Sequence, residues 1–192
     1  MTQWWQYWPR HFSDADCDRL ISLAETIQPT EGRIGHGGGN VKDDSIRRST
    51  IRWINRYDGR FFSFLGSMEI LLHHANKNAF GFDLTLFHEI QFTEYHATNE
   101  GHYSWHHDTI WEGPQLFQRK LSMVIQLSNP ADYDGGRFEM SKETCREVPP
   151  EDAILPRGTV IIFPSFLHHR VTPVTRGIRK SLVTWMEGPC FR

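Results

Sequence analysis

The chain has 192 residues, with 21 Lys plus Arg against 23 Asp plus Glu and a formal charge of −2. That balance, with no long run of like charge, argues against a non-specific nucleic-acid binder, which needs surplus cations to displace phosphate counterions. The length fits one domain with a core it can bury unaided. Cys17, Cys145 and Cys190 stand far apart without a CxxC pair, against a disulfide framework or a thiolate zinc site.

In chain order, "MTQWWQYWPR" is apolar but lacks a basic leader and is too short for a secretory h-region or a membrane span. Its "WWQYW" reads as a packed N-terminal clamp, with a partner-binding patch as the second reading. No other segment approaches about 18 consecutive apolar residues. A soluble, cytoplasmic protein without a membrane partner is expected. "SDADCDRLISLAETI" (13–27) opens with Ser13 as N-cap and Asp16 three residues later. Leu20, Ile21, Leu23, Ala24 and Ile27 follow at helical spacing, and Pro29 ends the run. "EGRIGHGGGN" (31–40) reads as a mobile loop. "RRSTIRWI" (47–54) sets Thr50, Arg52 and Ile54 against Ile51 and Trp53, as a half-buried strand does. "GRFFSFLGSMEILLHHANKNAF" (59–80) carries Phe61, Phe64, Leu65, Met68, Leu71 and Leu72 at helical spacing. His73 and His74 near its end suit the negative pole of a helix.

After Gly81 the segments are short, β-branched and aromatic, and turn signals at 133–136, 156–158 and 175–177 separate them. Many short strands so punctuated predict an antiparallel sandwich or barrel. The layout expected is a single domain over 1–192. Residues 1–83 would form a helical support and 84–192 the β core, a mainly β chain with flanking helices.

Within the β region, "GHYSWHHDTIWEG" (101–113) places His106, His107 and Asp108 in a row. Successive side chains of a strand face opposite sides, so His106 and Asp108 share a face and His107 looks away. About 60 residues later "FPSFLHHRVTPVTRGIRKSLVTW" (163–185) supplies His168 and His169, again on alternate faces, and the motif that follows favours His169. Two imidazoles and one carboxylate hold one face of an iron(II) ion and leave positions open. Arg179, ten residues on, would share a strand face with Ser181, Val183 and Trp185. An inward Arg in a β core needs a carboxylate partner, and its planar fork matches the distal carboxylate of a dicarboxylic acid. 2-Oxoglutarate meets both demands, because its oxo-acid end chelates iron.

The ordered set Tyr95, Gly101, Tyr103, His106, Asp108, His169, Pro173, Val174, Gly177, Arg179 and Trp185 resembles the Fe(II)- and 2-oxoglutarate-dependent oxygenases, in their prolyl 4-hydroxylase-like branch, over about residues 90–188. Arg179 stands where many prolyl 4-hydroxylases have Lys. The resemblance implies a double-stranded β-helix, a cupin-like jelly roll with the metal in its mouth. It implies hydroxylation of an unactivated C–H, foremost a prolyl residue in a protein or peptide, with Fe(II), 2-oxoglutarate and O2, and with ascorbate as a further candidate. His106, Asp108 and His169 would be the metal ligands and catalytic centre, and Arg179 and Tyr95 would hold the co-substrate. Tyr103 and Trp185 would line the substrate pocket. For the tyrosines and Trp185, plain core packing is the competing reading.

Other readings have less behind them. "HGGG" (36–39) matches an oxyanion-hole motif, but no G-x-S-x-G elbow accompanies it. A nucleic-acid demethylase would carry R-x-N-x-T-x-R after the distal His, where this chain has "RGIRKSL". A hydroxylase of a free amino acid or other small molecule, a non-catalytic jelly-roll binding module and a zinc hydrolase are the alternatives. The hydrolase gives Arg179 no task. The sequence is silent on oligomeric state.

Overall fold

The computed structural model describes residues 3–34, 41–111, 114 and 116–192, with backbone alone at 86–88. Most of the glycine-rich stretch expected as a mobile loop, residues 35–40 with the "HGGG" segment, lies outside the described residues.

Helix α1 (Asp14–Glu25) starts where a capping box closes: the Asp16 amide donates to Ser13 Oγ at 3.2 Å, and the Ser13 amide donates to the Asp16 carboxylate at 3.0 Å. It ends at Thr26, ahead of Pro29, and buries Cys17, Leu20 and Ala24. Helix α2 (Phe62–Ala75) buries Phe64, Leu65, Met68, Leu71, Leu72 and Ala75 at helical spacing, and its last turn holds His73 and His74. A π turn, Asn76–Phe80, continues it to Gly81. A third helix, α3 (Glu151–Ile154), is a single turn.

The strands among the described residues are β1 (Gln6–Trp8), β2 (Thr30–Glu31), β3 (Arg47–Arg48), β4 (Thr50–Ile54), β5 (Leu86–His96), β6 (His102–His106), β7 (Phe117–Gln126), β8 (Asp134–Gly135), β9 (Phe138–Met140), β10 (Val160–Pro164), β11 (His169–Val171), β12 (Val174–Arg176) and β13 (Ile178–Pro189). A seven-stranded sheet runs β1-β10-β7-β13-β5-β4-β2, a four-stranded sheet runs β3-β6-β11-β9, and β12 pairs with β8. All these pairings are antiparallel, as in a jelly roll. Residues 1–83, expected as helical support, also supply four strands, β1 to β4. The alternating "RRSTIRWI" gives β3 to the small sheet and β4 to the large one, covering β5. The last three residues of "WWQYW" form strand β1 on the edge of the large sheet, with Trp4 and Trp5 before it packed against one apolar cluster and Trp8 against another.

Strand alternation gives the large sheet two unlike faces. Ile90 and Phe92 of β5, Leu121, Met123 and Ile125 of β7, and Leu182 and Met186 of β13 point toward the helices. There they pack with Leu20, Met68 and Leu72 in one continuous cluster. Each such side chain contributes roughly 1.5–3 kcal/mol by leaving water. The intervening residues, among them Tyr95, Val124, Arg179, Ser181, Val183 and Trp185, point the other way and line a cavity. The sequence-derived grouping of Arg179, Ser181, Val183 and Trp185 on one face is observed.

Candidate metal centre

His106 is the last residue of β6 and pairs in register with His169, the first residue of β11. Adjacency in the small sheet therefore brings two histidines from distant segments together, with ring centres 4.2 Å apart. Asp108 lies beyond the end of β6. Its amide and that of Thr109 donate to the Ser165 carbonyl at 2.8 and 3.2 Å, which turns the carboxylate inward. Asp108 Oδ1 is 3.7 Å from His106 Nε2 and Oδ2 is 3.5 Å from His169 Nε2. One ligand atom from each of the three lies within 4.8 Å of the others.

The surrounding hydrogen bonds prepare these atoms for a cation. His106 Nδ1 donates to the Ser104 carbonyl at 2.8 Å and His169 Nδ1 to the Leu167 carbonyl at 2.9 Å. With the proton engaged at Nδ1, each ring presents the lone pair of Nε2 to the centre. Ser122 Oγ donates to Asp108 Oδ2 at 2.7 Å and lies 2.9 Å from Ser165 Oγ. Burial, then the neighbouring His169, pushes the His106 imidazole down to about 3, so it is neutral, the form that ligates metal. Burial opposes the Asp108 charge, but His169, His106, Arg119 and the Ser122 hydrogen bond outweigh it and hold the carboxyl below its usual range. Two imidazole nitrogens and one carboxylate oxygen, with no thiolate among them, suit a ferrous ion.

The centre opens into a cavity of about 470 Å³. Arg179 projects into it from β13, with only 1% of its surface exposed. Its Nη2 donates to Gln126 Oε1 at 2.8 Å and its Nη1 to Ser181 Oγ at 3.4 Å. Among the described residues Nε has no partner, and no carboxylate lies within 4.0 Å of the guanidinium. Gly136 makes room for it: at φ 58, a Cβ there would sit 3.0 Å from Arg179 Cδ.

Tyr95 faces Arg179 across the β5–β13 pairing, its ring centre 5.6 Å from the guanidinium carbon. Burial raises its phenol above the usual range. Tyr103 stacks on His106 with centres 3.5 Å apart, and burial pushes its phenol up to about 12. Trp185 lines the cavity under the Arg119 guanidinium, 3.8 Å from its ring centre, with its Nε1 buried and unpartnered. All seven residues named from the sequence thus line one cavity.

His107, which strand alternation turns away from His106 and Asp108, stands outside the triad. β6 has already ended at His106, and His107 lines the same cavity, stacked on His168 with centres 5.4 Å apart. Sequence reasoning also missed Arg47, Arg119 and Trp53, which line the cavity, and Ser122, Ser165 and Gln126, which position its charged groups. The inward period-2 positions of β7, Ser122 and Gln126, were the signal available for two of them.

The family model described as "2OG-Fe(II) oxygenase superfamily" matches residues 90–187, which contain the triad and Arg179. A "PKHD-type hydroxylase" from Shewanella frigidimarina is 34% identical over 100 residues, 50% of this chain; the chain spans only 42% of that relative's length. The fold matches a Pseudomonas putida prolyl-4-hydroxylase with a TM-score of 0.70 at 21% identity, over 98% of this chain and 95% of that one. It also matches a Trichoplax adhaerens prolyl hydroxylase, solved with a hypoxia inducible factor oxygen degradation domain peptide fragment. That TM-score is 0.73 at 18% identity, over 96% and 84% of the two chains. The jelly roll expected from the sequence is therefore the fold observed. With its family match spanning half the chain and enclosing the two histidines, the aspartate and the buried arginine, the chain belongs to the 2OG-Fe(II) oxygenase superfamily.

Proposed function

We propose that the chain is a 2-oxoglutarate-dependent dioxygenase that hydroxylates an unactivated C–H, foremost on a prolyl residue of a protein or peptide. One observation carries the reading: Arg179 is a buried cation without a carboxylate of the described residues beside it, in the cavity that holds the triad. A buried, unpaired guanidinium costs several kcal/mol, and a dicarboxylic co-substrate supplies its missing anion. The superfamily match, the hydroxylase relative and the fold shared with prolyl hydroxylases support the same reaction class. A neighbour of this fold in complex with a peptide supports a protein or peptide substrate.

In this reading His106, Asp108 and His169 hold Fe(II) through Nε2, a carboxylate oxygen and Nε2. The bound iron supplies the redox chemistry that couples decarboxylation of 2-oxoglutarate to succinate and CO2 with insertion of one oxygen atom of O2 into C–H. Arg179 grips the distal carboxylate, Gln126 and Ser181 hold that guanidinium in place, and Tyr95 flanks the co-substrate. Tyr103, stacked on His106, fixes one imidazole and walls the cavity beside the substrate, and Trp185 closes another wall.

The test is succinate formation from 2-oxoglutarate by purified protein, with and without added Fe(II), together with metal analysis. Iron-dependent succinate is the expected result, and added ascorbate is scored in the same assay. Zinc with no succinate supports a hydrolase, and neither metal nor succinate a binding module; either result contradicts the proposal.

A further inference from the structure

The cavity holds a second buried cation that neither the metal nor the co-substrate accounts for. Arg47, from β3 of the small sheet, is 6% exposed and lines the cavity. Its Nε donates to Ser49 Oγ at 2.8 Å and its Nη1 weakly to the Arg33 carbonyl at 3.4 Å. Nη2 is buried without a partner among the described residues, and the guanidinium carbon lies 4.5 Å from the ring centre of Tyr103, the residue stacked on His106. Its polar partners among the described residues are neutral oxygens. The cavity's carboxylates are engaged elsewhere: Glu31 with Lys42 at 2.9 Å, Glu89 with Arg119 at 3.1 Å, and Asp108 with Ser122 and the histidines.

Charge counting points the same way. Among the described residues the lining contains four arginines (33, 47, 119 and 179) against three carboxylates, one positive charge in surplus. A divalent metal and a 2-oxoglutarate dianion cancel each other and leave that surplus in place. Arg179 and Arg47 also approach from different sheets, beside different tyrosines. One dianion held by Arg179 and the metal therefore leaves Arg47 without a counter-charge among the described residues, at a cost that a further anion removes.

We propose that Arg47 binds a carboxylate of the primary substrate, so that the oxidised carbon belongs to a carboxylate-bearing molecule or lies beside an acidic residue. This rests on the oxygenase reading for its chemistry but is tested by binding alone. A planar guanidinium with a free Nη2 pairs with a carboxylate far better than with its neutral amide. The two sources of that carboxylate are an acidic residue next to proline in a peptide and the free carboxylate of an amino acid.

The experiment is titration calorimetry under nitrogen on the protein loaded with Mn(II) and 2-oxoglutarate. One probe pair is a blocked peptide carrying Pro-Asp and its Pro-Asn twin; the other is L-proline and L-prolinamide. The carboxylate member of one pair is expected to bind at least ~10-fold tighter, within the range of a single charge-assisted contact, and that pair identifies the source. Arg47→Met should erase the difference, and Arg47→Lys should retain part of it. Equal affinities within both pairs, or no binding by any probe, overturn the proposal.

Two controls sharpen it. Removing an unpaired buried charge should leave the ligand-free Tm of Arg47→Met equal to or above that of wild type; a clear fall would make Arg47 structural and overturn the proposal. The affinity of Arg47→Met for 2-oxoglutarate should stay within twofold of wild type; a large loss would assign Arg47 to the co-substrate, which also overturns it. A wild-type protein that discriminates the probes yet forms no succinate contradicts the oxygenase reading alone.

Discussion

The two faces of the large sheet make the sharpest contrast in the molecule. Along β13, Leu182 and Met186 enter an apolar cluster with the helices, while Arg179, Ser181 and Trp185, on the alternate positions, face the cavity. The same backbone thus carries a face that stabilises and a face that does not. On the first, the apolar side chains gain by leaving water. On the second, Arg179 Nε, Trp185 Nε1 and Arg119 Nε are buried without hydrogen-bond partners among the described residues. Those unsatisfied groups cost stability in the ligand-free state, which is expected where binding, rather than folding, selects the residue.

Substitutions on the two faces should therefore separate function from stability. The largest effect belongs to the triad. His169→Ala removes one of three ligands and should abolish iron retention and reduce succinate formation by at least ~1,000-fold, with the fold preserved; metal analysis and the succinate assay read this. Next is Leu182→Ala on the opposite face. It should cost about 2–5 kcal/mol of stability and lower the Tm markedly, while protein that remains folded keeps its affinity for 2-oxoglutarate. Activity loss without a Tm change in this variant would blur the two faces and contradict the comparison.

A smaller effect links them. Gly136→Ala places a methyl against Val174 Cγ2 at 2.8 Å and Arg179 Cδ at 3.0 Å, at a backbone φ of 58. It should weaken 2-oxoglutarate binding by roughly tenfold through displacement of Arg179, and cost about 1 kcal/mol through backbone strain. The smallest effect lies far from the cavity. Ser13→Ala removes the α1 cap and should cost about 1 kcal/mol, or about 2–4 °C in Tm. Its pH dependence has a definite sign. The Ser13 hydrogen bonds hold the Asp16 carboxyl below its usual range, so the stability they bring is present above a pH of about 4 and fades as pH falls through the folded value. The Tm gap between wild type and Ser13→Ala should narrow at pH 2–3.

Much of this was legible in the chain because local patterns carried it. The Ser13–Asp16 spacing specified the helix start, and the 3.6-residue pattern over 59–80 specified α2. His106, Asp108 and His169 were readable as a set of complementary metal-ligand types, and Arg179 as an inward strand cation that calls for an anion. Arg47 and Arg119 were not readable. Each looks like an ordinary strand cation until long-range pairing of β3 with β6, and of β7 with β13, carries it to the cavity wall. The strands before residue 84 were undercounted for the same reason, since their partners lie far along the chain.

The most direct measurement is anaerobic calorimetric titration of 2-oxoglutarate into wild-type, Arg179→Gln and His169→Ala proteins in the presence of Mn(II). Wild type should bind one equivalent only with metal present. Arg179→Gln should keep the metal yet bind 2-oxoglutarate at least ~100-fold more weakly, as loss of a buried charge-assisted pair implies, and His169→Ala should lose both. Unchanged 2-oxoglutarate affinity in Arg179→Gln would contradict the assignment of that guanidinium to the co-substrate, and with it the account of the cavity.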